Sequence, residues 1–119
     1  MKELVFWAGL FDLYGPLLTE KQRQCLDLYL LQDFSLAEVG EAVGISRQAA
    51  HDMVHRAERS MQAYEEKLKL LARREQERTQ LRAVYQELYA LGVHNAQGKK
   101  ALTTLANLAG MEKPYAIET

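Results

Sequence analysis

Apolar residues recur along this chain at helical spacing from one end to the other, and no stretch alternates as a half-buried strand does. Residues 2–14 place Leu4, Trp7, Ala8 and Phe11 on one face, with Phe6, Leu10 and Leu13 beside them. This predicts a first helix that is apolar nearly all round and must therefore be covered. Gly15 and Pro16 end it. Thr19 and Gln22 in "LTEKQ" have the spacing of a capping box, and Leu26, Tyr29 and Leu30 carry a second helix to about residue 32. Ser35 and Glu38 repeat the box and open a short helix over residues 36–43. Gly44 supplies a tight turn, Ser46 caps the next helix, and no glycine or proline then interrupts the chain before Gly92.

The pair of helices around Gly44 has the dimensions of a helix-turn-helix. Such helices cross closely, so a small residue is needed near the crossing, four positions before the turn glycine. Gly40 stands there. Leu36, Val39, Val43, Ile45, Ala50, Met53 and Val54 fall where apolar residues must lock the two helices together. Arg47, Gln48, His51, Asp52 and His55 are left on the outward face of the second helix, where side chains of a DNA reader meet base edges.

Residues 17–70, from "LLTEKQ" through "DFSLAEVGEAVGISRQA" to "YEEKL", resemble the YlxM family of small bacterial helix-turn-helix proteins, which are themselves similar to region four of sigma factors. The resemblance covers a little under half of the chain. It implies an all-α fold and a regulatory protein of the signal recognition particle pathway, an association that rests on gene neighbourhood. It also implies a DNA-binding role inferred from the motif.

Further along, Ala57, Met61, Tyr64, Leu68 and Leu71 are spaced four, three, four, three. That is the seam of a short coiled coil, or equally an internal face packed on the first helix. Residues 72–80 carry no large apolar side chain and read either as a solvated bridge in one continuous helix or as a hinge. Leu81, Val84, Tyr85, Leu88 and Leu91 resume the pattern, and a last helix over about residues 97–109 carries Leu102, Leu105, Ala106 and Leu108 before Gly110. "MEKPYAIET" reads as a loose tail. The expected architecture is a single all-α domain over residues 1–119, with a helix-turn-helix core at about 17–60, a long recognition helix and a C-terminal helical extension at about 61–119. Six helices offer more apolar face than one monomer of this size covers, which predicts a homodimer.

Composition narrows the function. The 119 residues are 48% hydrophobic and 26% charged, as in a globular chain. The run from Leu4 to Leu13 is interrupted by Asp12 and too short to span a bilayer, so no membrane insertion and a cytoplasmic location are expected. The single cysteine, Cys25, cannot form an internal disulfide and lies on the apolar side of its helix. Residues 1–70 carry eight basic and eleven acidic residues, a net charge of -3, which leaves little for phosphate neutralisation. Arg47, Arg56 and Arg59 nevertheless recur along one helix.

Candidate chemistry is sparse. His51 and His55 stand four apart, the spacing of a metal pair, but no cysteine or carboxylate cluster nearby in sequence completes a site. No glycine-rich phosphate loop is present, and nothing positions a nucleophile, so the chain is expected to act by binding, without catalysis, metal or cofactor. Two functions remain. In one, the partner is double-stranded DNA, with Arg47, Gln48, His51 and His55 at base edges and Ser35, Ser46, Arg56 and Arg59 near phosphates. In the other, the helix-turn-helix is only a scaffold that presents a binding surface to a signal recognition particle component. Ser35 and Ser46 act as helix caps in either case.

Overall fold

The computed structural model describes residues 2–92 and 94–111. Among the described residues six α-helices succeed one another: α1 Lys2–Tyr14, α2 Glu20–Leu26, α3 Leu36–Val43, α4 Arg47–Leu68, α5 Leu70–Ala90 and α6 Ala96–Leu108. No strand occurs among the described residues. No described helix is long and apolar enough to cross a membrane. Apart from Met111, the tail expected to be loose lies outside the described residues. Contacts divide the chain into two compact units, Met1–Leu71 and Ala72–Thr119.

In the first unit, Leu10, Tyr14, Leu18, Cys25, Leu26, Leu30, Val39, Ala50, Val54, Ala57 and Met61 form one core. The expectation that α1 is covered all round needs correction: its buried side chains are Leu10 and Tyr14, whereas Leu4, Val5 and Phe6 remain exposed. A helix packed on one side buries one stripe, however apolar the remaining faces are. Both capping boxes form. Thr19 Oγ1 accepts from the Gln22 amide at 3.2 Å while Gln22 Oε1 accepts from the Thr19 amide at 3.1 Å. Ser35 Oγ and Glu38 Oε1 make the reciprocal pair at 3.1 and 2.8 Å. After α2 the chain widens into a π-helical turn, Asp27–Leu31, in which the Gln32 amide reaches back to the Asp27 carbonyl at 3.2 Å.

The long helix ends earlier than the absence of glycine suggests. Lys69 sits in the left-handed region at φ 54° and separates α4 from α5. Residues 72–80, read as bridge or hinge, lie within α5 and are helical throughout. The apolar seam divides in the same region: Ala57 and Met61 are buried, with Tyr64 and Leu71 packed against the core, while Leu68 is exposed. Internal packing therefore claims most of it.

In the second unit, α5 and α6 form an antiparallel pair. Asn95 caps α6, its side chain accepting from the Gly98 amide at 2.7 Å, and Arg82 Nη1 donates to the Ala109 carbonyl at 3.1 Å near the end of α6. Tyr85, Leu102 and Ala106 make its small core.

Candidate nucleic-acid interface

The helix-turn-helix is built around one close approach. The amides of Gly44 and Ile45 both donate to the Gly40 carbonyl, at 2.8 and 2.9 Å, which turns the chain sharply as Gly44 takes φ +80°. A Cβ on Gly40 would stand 2.6 Å from the Ile45 carbonyl oxygen and 3.2 Å from that of Ser46. Only glycine lets α3 lie this close to the turn. Ser46 then accepts from the Ala49 amide at 3.0 Å and starts α4 with Arg47 and Gln48 exposed on its first turn.

From there the face becomes a chain of polar contacts. Gln48 Nε2 donates to Asp52 Oδ1 at 3.1 Å, and the same oxygen lies 3.5 Å from His51 Nδ1. The imidazoles of His51 and His55 meet edge to face with ring centres 4.1 Å apart. His55 Nδ1 lies 3.3 Å from Glu58 Oε1. Burial pushes the Glu58 carboxyl above its ordinary range and nearby Glu3 adds to that, while His55 and His51 partly oppose it.

A shallow cavity of about 340 Å³ runs beside these groups, lined by Trp7, His51, Asp52, His55, Glu58, Arg59 and Gln62. The structure thus brings His51, His55 and Arg59 together against Trp7 of α1, while Arg47 and Gln48 stand at the exposed start of the helix and Arg56 is exposed further along it. Ser35 and Ser46 are both exposed and engaged as caps; each hydroxyl hydrogen is left to donate outward. Both Trp7 and Glu58 are missing from the site residues expected from sequence; Glu58 was within reach, since it follows His51 and His55 at i+7 and i+3 on the same helix. Nothing local marks Trp7 as part of this face, because only the packing of α1 on α4 brings it there. No group of three or more His, Cys, Asp or Glu placed to hold a metal occurs among the described residues.

The comparisons with known proteins agree with this geometry. A family model described as "Putative helix-turn-helix protein, YlxM / p13 like", the UPF0122 family, matches residues 2–103. The chain belongs to this family. It is 49% identical over 72 residues to a UPF0122 protein of Symbiobacterium thermophilum, covering 60% of this chain and 67% of that one. A UPF0122 protein of Halalkalibacterium halodurans is 55% identical over 64 residues, or 54% of this chain and 59% of its own length. One from Latilactobacillus sakei is 40% identical over 100 residues, covering 84% of this chain and 88% of the relative. For the first two, the match spans about two thirds of the relative or less.

Proposed function

We propose that this UPF0122 protein is a cytoplasmic DNA-binding regulator that reads duplex DNA with the N-terminal turns of α4. One observation carries the reading: the Gly40 crossing and the Ser46 cap present Arg47 and Gln48 to solvent at the start of a long helix. Arginine there suits guanine, and the Gln48 amide suits adenine once it releases Asp52. His51 and His55 extend the contact, and Ser35, Ser46, Arg56 and Arg59 supply phosphate contacts. Self-association as a homodimer would place two such helices on half-sites about one turn of DNA apart.

Fluorescence anisotropy with genomic fragments at low and at physiological salt tests this. Binding that weakens with salt and saturates on a subset of fragments is expected; no binding even at low salt overturns it.

A second reading is favoured by a different feature. The net charge of -3 over residues 1–70 opposes DNA, and an apolar groove of about 310 Å³ lies at Ala8, Phe11, Asp12, Gly15, Pro16, Arg23 and Leu31, beside which Leu17 is also exposed. In that reading the chain binds a signal recognition particle component through this groove, with the helix-turn-helix as scaffold. Recovery of that component after nuclease treatment, unaffected by Arg47→Ala, supports the second reading over the first.

A further inference from the structure

The face of α4 that starts with Arg47 and Gln48 continues as a row of acids and bases. His51, Asp52, His55, Glu58 and Arg59 follow Gln48 at the three- and four-residue steps of one helical face, and all five line the cavity beside Trp7. Two imidazoles in this row stand next to carboxylates. Asp52 Oδ1 lies 3.5 Å from His51 Nδ1, and Glu58 Oε1 lies 3.3 Å from His55 Nδ1. The two histidine side chains are 42% and 51% exposed, so solvent protons and a polyanion both reach the rings. His51 Nδ1 itself is shielded from solvent and makes no hydrogen bond, which carries a desolvation cost. The charged ring bears a hydrogen on both nitrogens and always presents one to Asp52, whereas the neutral ring does so in only one of its two tautomers.

The surrounding charges decide what a proton does here. From α4 itself, Asp52, Glu58 and Arg59 stand at the histidine couple; from α1, Trp7 brings no charge and Glu3 acts on Glu58. Three carboxylates thus face one guanidinium while the rings are neutral, and an approaching duplex meets an excess of its own sign. We propose that the His51–His55 couple is a proton switch on the DNA-reading face: a charged ring offsets the carboxylates beside it, and the duplex is then held more tightly. The switch rests on the DNA reading above and adds regulation to it. Histidine is the side chain that ordinarily changes charge between about pH 5 and about pH 8, a range that cells reach. The ring centres are 4.1 Å apart, so a charge on one opposes a charge on the other, and the couple contributes about one positive charge rather than two. A complex that prefers the charged ring takes up protons as it forms, so affinity is greatest at low pH and declines as pH rises. Glu58 acts in the same direction, because burial holds its carboxyl above the ordinary range and it sheds its charge early on acidification.

Fluorescence anisotropy of the full chain with genomic duplex fragments, at constant ionic strength between about pH 8 and about pH 6, tests the switch. The wild type is expected to bind about three- to tenfold more tightly at the lower pH, with a salt slope steeper by about one. His94→Gln alters the remaining histidine, which lies in the second unit, and should leave that gain in place. Glu58→Gln should retain most of it, whereas His51→Gln/His55→Gln should lose it. Thermal unfolding of the double variant reports on its fold. A readout on the wild type needs no variant: binding enthalpies in two buffers of different ionisation enthalpy should reveal net proton uptake. Wild-type binding that ignores pH or takes up no proton, or a gain that the folded double variant keeps in full, overturns the switch and leaves the DNA reader standing. No binding of any fragment at either pH overturns both.

Discussion

The Tyr14 hydroxyl donates a 2.6 Å hydrogen bond to the Glu65 carboxylate, and together these two side chains start α5. Glu65 Oε1 also accepts from the Leu71 amide at 3.0 Å, and the Tyr14 oxygen accepts from the Leu70 amide at 3.2 Å. Helix starts usually take an acceptor from a residue at the cap position, but Lys69 offers none. The acceptors come instead from α1 and from the last turns of α4. Burial and the Glu65 carboxylate both push the Tyr14 phenol above its ordinary range, so it keeps the proton that the bond requires.

Tyr14→Phe removes the donor to Glu65 and the acceptor for Leu70 while preserving the packed ring. A loss of about 1–2 kcal/mol in unfolding free energy is expected, together with faster hydrogen exchange at the amides of Leu70 and Leu71. Glu65→Gln keeps an acceptor for Leu71 and should lose less. Unchanged exchange in the Phe variant would remove the capping role.

Glu58 makes stability depend on pH. Its folded-state pKa is raised, chiefly by burial, so the native state holds the proton more tightly than the unfolded chain does. Its contribution is fully present below the ordinary carboxylate range and is lost as pH rises through the elevated folded value. Glu58→Gln should therefore raise the melting temperature at neutral pH, and the gain should shrink toward zero as pH falls below the ordinary value. A gain that grows on acidification would mean that the folded state favours the charged carboxylate instead.

Much of the first unit is legible in the sequence because its signals are local. Thr19 with Gln22, Ser35 with Glu38, and Gly40 with Gly44 each specify their own geometry through neighbours only a few positions away. The features that sequence does not disclose are set by distant packing. The αL break at Lys69 carries no glycine, and its acceptor, Tyr14, comes from another helix. The π-turn after Leu26 keeps an apolar pattern compatible with an ordinary helix. In the candidate interface, Arg47 and Gln48 could be placed from spacing alone. The place of Trp7 in the cavity beside His51 and His55 could not, because periodicity fixes the face of a helix but not which other helix meets it.

Gly40→Ala tests the crossing with the smallest possible change. In an exposed helix interior alanine stabilises by about 0.5–1 kcal/mol relative to glycine. At this position the added carbon would lie 2.6 Å from the Ile45 carbonyl oxygen, a backbone atom that cannot turn aside as a side chain does. The sign is expected to reverse, with a net destabilisation on the order of 1–3 kcal/mol by chemical denaturation. A stabilised variant would show that the turn relaxes freely.

Arg47 and Asp52 should move DNA affinity in opposite directions. Arg47 is exposed at the first turn of α4, and its loss as Arg47→Ala should cost about 1–3 kcal/mol on a preferred fragment and much less on an unrelated one. Arg56→Ala or Arg59→Ala should weaken all fragments alike and lower the salt slope by about one each. Asp52 presents a carboxylate on the same surface and holds the Gln48 amide at 3.1 Å. Asp52→Asn keeps the shape and an acceptor for Gln48 but removes the charge. A unit charge about 4 Å from a phosphate is worth about 1 kcal/mol in water, so affinity should rise a few-fold at low salt, and less at higher salt where the charge is screened. If the surface instead receives a protein, Asp52→Asn has no reason to strengthen binding to duplexes, nor Arg47→Ala to weaken it selectively. The paired measurement of the two variants on one fragment, at two salt concentrations, therefore separates a DNA reader from a scaffold through the sign of one effect and the sequence dependence of the other.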